Sequence, residues 1–261
     1  MRALLPSVIL VAFSVAAAAR DKVDVSPQDV KRFIDPTTLI NSFDYTFEAN
    51  FLLRDVEIYN HTVRPLWALS HWSAVWAEVP FTQFSLPEQP GSSGIGDVLL
   101  GWGGIIHEDL ERRLTTSVGG LEVLVPTGSP ENGTGGERWV LTPLAALALN
   151  PTDLFPVYIN GRYMHSIGGS EGEPVRALEL IVETAHILPK GFYVSAIPTF
   201  FFDFGQERNF FSFGLGVGRA LTRNFAWGAA YVHYVAGAKT FSQGFSFELS
   251  YIWGDEKIGS P

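Results

Sequence analysis

The stretch NSFDYTFEANFLL (residues 41–53) places Phe43, Tyr45, Phe47, Ala49, Phe51 and Leu53 on one parity and Ser42, Asp44, Thr46, Glu48 and Asn50 on the other. A helix would scatter both sets around its circumference, whereas a strand sends successive side chains to opposite faces. The segment therefore reads as a strand with one apolar wall and one polar wall. Two environments accept such a strand: an antiparallel sheet whose apolar face covers a soluble core, or a membrane barrel whose apolar face meets lipid.

The alternation recurs to the end of the chain. Phe245, Phe247, Leu249, Tyr251 and Trp253 share a face opposite Gly244, Ser246, Glu248 and Ser250. Phe211, Phe213, Leu215 and Val217 oppose Ser212, Gly214, Gly216 and Gly218, and Phe225, Trp227, Ala229 and Tyr231 fall together. Short connections (HEDLERR, NPTD, LPKG, LTRN) alternate with long, Gly-rich or charged ones (PTGSPENGTGGE, GGSEGEP, DFGQERN, AGAKTFSQ). A barrel with periplasmic turns and extracellular loops sorts its connections this way; a soluble sandwich has no reason to. A first pass gives eleven strands, but a bacterial single-chain barrel has both ends on one side and hence an even number. The segment 62–83 exceeds one crossing of about 9–11 residues, so a turn at SHWS (70–73) divides it. The twelve predicted strands are 39–53, 62–69, 73–83, 97–106, 113–125, 138–149, 155–166, 175–187, 192–203, 210–219, 225–235 and 242–253.

Composition agrees with this reading. Charged residues are 17% of the 261, below the ~25% usual for soluble domains, and the 20 Phe, 8 Tyr, 7 Trp and 26 Gly suit strands and tight turns. The formal net charge of -9 argues against nucleic acid. No cysteine is present, which removes a disulfide framework and thiolate metal sites. His61, His71, His107, His165 and His186 are dispersed, and neither metal nor cofactor is expected.

Residues 1–19 read as a signal peptide: one Arg, an apolar run from Ala3 to Val15, and Ala17 and Ala19 in an A-x-A cleavage pattern. That run is shorter than the ~20 residues a spanning helix needs. Residues 20–37 are charged, carry two prolines and lack periodicity; they read as a periplasmic lead-in or a plug. Residues 38–253 form the barrel and 254–261 a tail. Export, together with Trp67, Trp72, Trp139, Trp227 and Trp253 near strand ends, favours lipid over a soluble core. The predicted fold is thus all-β: a transmembrane antiparallel up-and-down β-barrel of about 12 strands in the bacterial outer membrane. Pro143 and Pro198 fit awkwardly, because each removes a ladder donor.

Three short runs, GIGDVLLGWGG (94–104), LEVLVPTGS (121–129) and GTGGERWVLTP (133–143), resemble the G-x-GD, PTG and G-x-G elements of the MetA-pathway phenol-degradation family of outer-membrane proteins. The resemblance covers roughly residues 40–253. It implies an outer-membrane barrel passing aromatic or other small hydrophobic molecules, without catalytic residues. The last strand, FSFELSYIW, resembles the signal by which the barrel assembly machinery selects its substrates, with Phe247, Leu249, Tyr251 and Trp253 at the apolar and aromatic positions. Here eight residues follow Trp253, whereas the usual signal ends at its aromatic.

If the apolar parity faces lipid, the polar parity lines the lumen. It collects Asp44, Glu48, Glu78, Asp97, Glu122, Glu179, Glu183 and Glu248, with Arg162 the clearest inward cation. The plainer reading, which we prefer on sequence alone, is an ordinary wetted wall neutralised by arginines such as Arg113, Arg138, Arg176 and Arg219. The sharper one is an acidic filter for cations or neutral solutes. Gly214, Gly216, Gly218, Ala226, Gly228 and Ala230 form an inward strip that leaves room for a solute or for close packing by a segment such as 20–37. AAYVHYVAGA invites comparison with lipid-cleaving barrels, which use a His with a Ser two residues on. Position 235 is Val, and His233 shares the parity of lipid-facing Tyr231.

Three functions follow: a passive channel for small molecules, with hydrophobic or aromatic ones among them; a closed structural or surface-binding barrel acting through loops 84–96, 126–137 and 168–174; and, least supported, a lipid-modifying enzyme. The expected partners are outer-membrane lipid, the assembly machinery and a small solute.

Overall fold

A computed structural model describes residues 25–52, 56–85, 91–109, 114–169, 174–238 and 241–254. The predicted signal peptide 1–19, Arg113, most of the tail and the tips of loops 84–96 and 168–174 lie outside these ranges. Among these residues thirteen strands follow one α-helix, α1 (Pro27–Ile34): β1 (Ser42–Leu52), β2 (Glu57–Ser70), β3 (Ser73–Ser85), β4 (Ser92–Ile95), β5 (Val98–Glu108), β6 (Leu114–Val125), β7 (Arg138–Thr152), β8 (Phe155–Gly169), β9 (Arg176–Ile187), β10 (Phe192–Asp203), β11 (Phe210–Ala220), β12 (Phe225–Gly237) and β13 (Phe241–Ile252).

Each strand pairs antiparallel with its neighbours, and β1 closes the sheet by pairing with both β2 and β13. At the seam Phe43 faces Tyr251 across the ladder, Tyr45 faces Leu249 and Phe47 faces Phe247, so one apolar stripe runs unbroken over the join. β4 pairs with the far half of β3 (Phe81–Phe84) and β5 with the near half (Ser73–Glu78), so β4 and β5 are one stave interrupted at Gly96–Asp97. The wall is therefore a closed barrel of twelve staves. The division at His71–Trp72 is observed, with β2 beginning five residues earlier than predicted.

Turn chemistry explains the short connections. Thr152 Oγ1 accepts from Phe155 N at 3.1 Å, and Thr222 Oγ1 accepts from Asn224 N and Phe225 N at 3.1 and 3.0 Å, each closing a side-chain-mediated turn. Between β9 and β10, Gly191 takes φ +76° where a Cβ would lie 2.5 Å from the Ala220 carbonyl, so only glycine fits. Asn41 and Trp253, which flank the barrel, lie on the same side as these turns and hydrogen-bond to each other through Trp253 N and Asn41 O (3.1 Å). By the general rule for such barrels that side is periplasmic.

The exposure pattern is inverted relative to a soluble protein. Trp102 is 52% and Leu215 59% exposed on the outside, while inward Trp76 is 6% exposed. Phe43, Trp67, Tyr163, Phe200, Phe213, Phe245 and Tyr251 stand on the same outer surface. A continuous apolar exterior of this extent has its natural solvent in lipid. No helix among the described residues is long and apolar enough to cross a membrane.

Candidate functional site

The lumen is occupied at its periplasmic end by the chain's own N-terminal segment. Ser26 caps α1: its Oγ accepts from Asp29 N at 3.2 Å, and Asp29 Oδ2 accepts from Ser26 N at 2.9 Å, a reciprocal capping pair with Pro27 at the first helical position. The helix sets Val30, fully buried, against Ile187, Ala220 and Ala226, with Phe33, Ile34 and Tyr193 around them. Lys31 Nζ lies 3.7 Å from Asp153 on the β7–β8 turn. Beyond the helix, Asp35 Oδ1 accepts from Thr37 N at 2.8 Å and Thr37 Oγ1 at 2.6 Å. Burial still holds the Asp35 carboxyl above its usual range, against the opposing pull of those two bonds and of Lys31. The chain then crosses to the opposite wall, where Leu39 packs on Leu66, Ala74, Trp76 and Leu99, and Asn41 Oδ1 accepts from Ala68 N at 2.9 Å.

The sequence signal for this helix is S-P-Q-D at 26–29, a capping sequence with proline at N1. A helix of only eight residues has too few turns to display periodicity.

Above the segment lies a cavity of about 370 Å³, lined by α1's end and residues 36–40 on one side and by nine staves on the other. Of the predicted lumen residues, Asp44, Glu78, Glu122, Arg162, Glu183 and Glu248 line it. Glu48 shares the inward parity of Asp44 farther from the periplasmic mouth. Glu179 shares that of Glu183 and sits 3.9 Å from Arg162 Nη1. Phe247, Leu249 and Tyr251 face outward from β13, and the Trp253 ring stacks near Tyr251 at a centroid distance of 6.3 Å.

Asp97 is placed elsewhere. At the break between β4 and β5 its Oδ1 accepts from Gly128 N at 2.9 Å and its Oδ2 from Gly136 N at 2.8 Å. Thr127 Oγ1 adds a bond to the Gly96 carbonyl at 2.9 Å and accepts from Val98 N at 3.0 Å. The G-x-GD, PTG and G-x-G runs are thus three sides of one clasp that fixes the β6–β7 loop over the barrel rim. Their glycines are spaced for backbone contact: a Cβ on Gly135 would fall 2.6 Å from Asp97 Oδ1.

The arginines differ from expectation as well. Arg219 stacks over Phe192 at 4.6 Å and donates to the Lys190 carbonyl, outside the lumen, and Arg138 and Arg176 begin their strands at the far rim. A second cation on the inner wall is Arg64, whose Nε lies 3.5 Å from Glu78 and whose guanidinium sits 5.8 Å over the Trp76 ring. Its inward position was readable, since Val63, Pro65 and Trp67 take the outer parity. Arg162 Nη2 pairs with buried Glu122 at 2.7 Å, and Trp76 Nε1 donates to the same carboxylate at 3.2 Å. One side of the wall is therefore a continuous network from Glu78 through Arg64, Trp76, Glu122 and Arg162 to Glu179.

Two inward aromatics rest on glycine. The Trp76 ring lies against Gly101, where a Cβ would come within 2.1 Å, and the Tyr193 ring covers Gly218 and Gly228. The small-residue strip of β11 and β12 thus holds Tyr193, with α1 seated at its periplasmic end. Among the described residues, no group of three or more His, Asp or Glu side chains is gathered to hold a metal ion.

No protein-family model matches the sequence, and no curated protein matches it significantly. Solved structures do match the fold. An outer-membrane channel of the COG4313 group from Pseudomonas putida F1 aligns over 82% of this chain and 94% of its own, with TM-score 0.63 and 14% identity. The KdgM porin, described in complex with oligogalacturonate, aligns over 82% and 99% with TM-score 0.57 and 10% identity. The NanC porin aligns over 82% and 100% with TM-score 0.52 and 10% identity. At these identities the likeness is one of fold: this chain has the fold of outer-membrane β-barrel channels.

Proposed function

We propose that the protein is a passive outer-membrane channel for small solutes, exported by its signal peptide, inserted by the barrel assembly machinery through its aromatic last strand, and working without cofactor or catalysis. The observation that carries this reading is the closed barrel with an apolar exterior and a charged, cavity-bearing interior. Solutes would diffuse through the lumen past α1 and residues 35–41, which pack against its wall. The resemblance of the clasp sequences to the MetA-pathway family supports hydrophobic or aromatic solutes. The inward acids disfavour polyanions such as the oligogalacturonate of the KdgM complex. Purified protein in planar bilayers should give discrete conductance steps; a barrel that is folded yet silent at all voltages would overturn the reading.

One observation favours a second reading, a closed barrel that binds partners at its surface. The N-terminal segment is packed on both walls of the mouth, and the clasp gives loop 126–137 a fixed shape for docking. Loss of partner binding on loop deletion, with permeability unchanged, would favour it. Enzymatic action has no comparable support, because His233 stands beside outward Tyr231 with Val235 where a nucleophile would be needed.

A further inference from the structure

We infer that the cavity between the N-terminal segment and the barrel wall is a binding site for a small organic cation, an ammonium group carried on an apolar body. The inference names the solute class for the proposed channel; it rests on that reading for passage, though not for binding.

The cationic side chains of the wall are already committed. Arg64 pairs with Glu78, and Arg162 lies between Glu122 and Glu179. Three further carboxylates of the barrel wall line the same cavity, Asp44, Glu183 and Glu248, and none is in a salt bridge among the described residues. Their contacts are hydroxyls: Ser250 Oγ donates to Glu248 at 3.1 Å and Ser42 Oγ to Asp44 at 3.3 Å. A hydroxyl satisfies a lone pair without supplying a counter-charge; Arg64 attracts Asp44 and Glu248 from the wall and Arg32 lines the cavity from α1, yet six carboxylates, Asp35 included, line it against three guanidiniums, so acid remains in excess.

Tyr158 supplies an independent sign of a ligand. It is 2% exposed, lines the cavity, stands directly across the ladder from Glu183, and its hydroxyl has no hydrogen-bond partner among the described residues. Buried polar atoms are normally satisfied, and a phenol oxygen beside a carboxylate makes a joint acceptor for an ammonium N–H. In the strand order β9 to β13, the Tyr193 ring lies between Glu183 and Glu248, presenting an aromatic surface to a cation held by either.

The remaining lining selects the body of the ligand. Leu66, Leu144, Ile181, Phe33 and Ile34 give apolar contact, and about 370 Å³ is a small-molecule volume. The carboxylates do not converge as metal ligands do, so dispersed charge on an organic cation fits better than a compact divalent ion. An anion meets repulsion, and a neutral isostere leaves the carboxylates uncompensated.

Calorimetry on the full-length barrel in detergent tests this with benzylammonium, benzyl alcohol, benzoate and calcium chloride as probes. Saturable binding of benzylammonium at least about tenfold tighter than benzyl alcohol is expected, with none for benzoate. Glu183→Gln and Glu248→Gln should each weaken it about tenfold and Tyr158→Phe about threefold, whereas Glu131→Gln on the extracellular turn should change nothing. Equal binding of alcohol and ammonium, tighter binding of calcium, or no binding overturns the site; where a variant fails to fold, the probe comparison on the unaltered protein decides. The same probes in bilayers separate the two proposals. Selective binding by a silent barrel sinks the channel and keeps the site; conductance with no preferential block or passage of benzylammonium does the reverse.

Discussion

Trp76 shows how much of this lumen depends on single glycines. An indole on an inward parity would ordinarily fill the barrel, yet here it lies flat because Gly101 and Gly103 on the next stave carry no side chain. Flat, it reaches Glu122 with Nε1 and offers its face to Arg64, linking two ion pairs into one network. Gly101→Ala would place a methyl 2.1 Å from the ring. The ring must lift into the lumen and abandon Glu122, at a cost of about 1–3 kcal/mol. A lowered urea midpoint and a shifted tryptophan emission are expected, while Gly161→Ala, whose methyl would meet only Leu180 at 4.0 Å, should be silent. An unchanged midpoint in Gly101→Ala would disprove the packing argument. None of this was legible in the sequence. GWGG reads as a motif, and the partner of Gly101 is fixed by a cross-strand register that alternation does not encode.

At the scale of elements, the staves were legible, and so was a plug as one of two readings of residues 20–37, whereas the helix within it was not. Alternation with period two reports each strand wherever one face meets lipid and the other a wet lumen, so even the His71–Trp72 turn emerged from parity and length. The same rule misled at Asp97. Its parity points inward, but the stave is interrupted there and the carboxylate accepts from backbone amides of a loop 31 and 39 residues on. α1 shows no lipid-facing pattern, because its apolar face meets the inside of the barrel. That face suggests how the segment is held in the mouth: Val30 inserts among Ile187, Ala220 and Ala226, where a carboxylate would be buried without a partner. Val30→Asp should cost roughly 3 kcal/mol of docking, release the segment and raise single-channel conductance. Unaltered conductance in a folded Val30→Asp barrel would show that the segment does not limit the path.

For the whole molecule, the informative quantity is the imbalance of charge on its inner surface. Among the described residues Asp44, Glu48, Glu78, Glu122, Glu179, Glu183 and Glu248 face inward along the staves, whereas the guanidiniums inside are those of Arg64 and Arg162 on the wall and Arg32 on α1. Composition suggested this sign without its location, since a net charge of -9 can as well belong to loops. Narrow low-dielectric walls concentrate the resulting field along the axis, so small cations should outnumber anions in the lumen. Salt then decides how far each carboxylate is felt, the screening length being about 10 Å at 0.1 M and about 3 Å at 1 M. Reversal potentials under a potassium chloride gradient should therefore show clear cation preference at the lower concentration and a much weaker one at the higher. Converting Arg64 to Gln should strengthen the preference, because it frees Glu78. A barrel that conducts without preference at low salt, or prefers chloride, would mean that the inward acids are neutralised by protons or by these arginines, and that the lumen does not discriminate by charge.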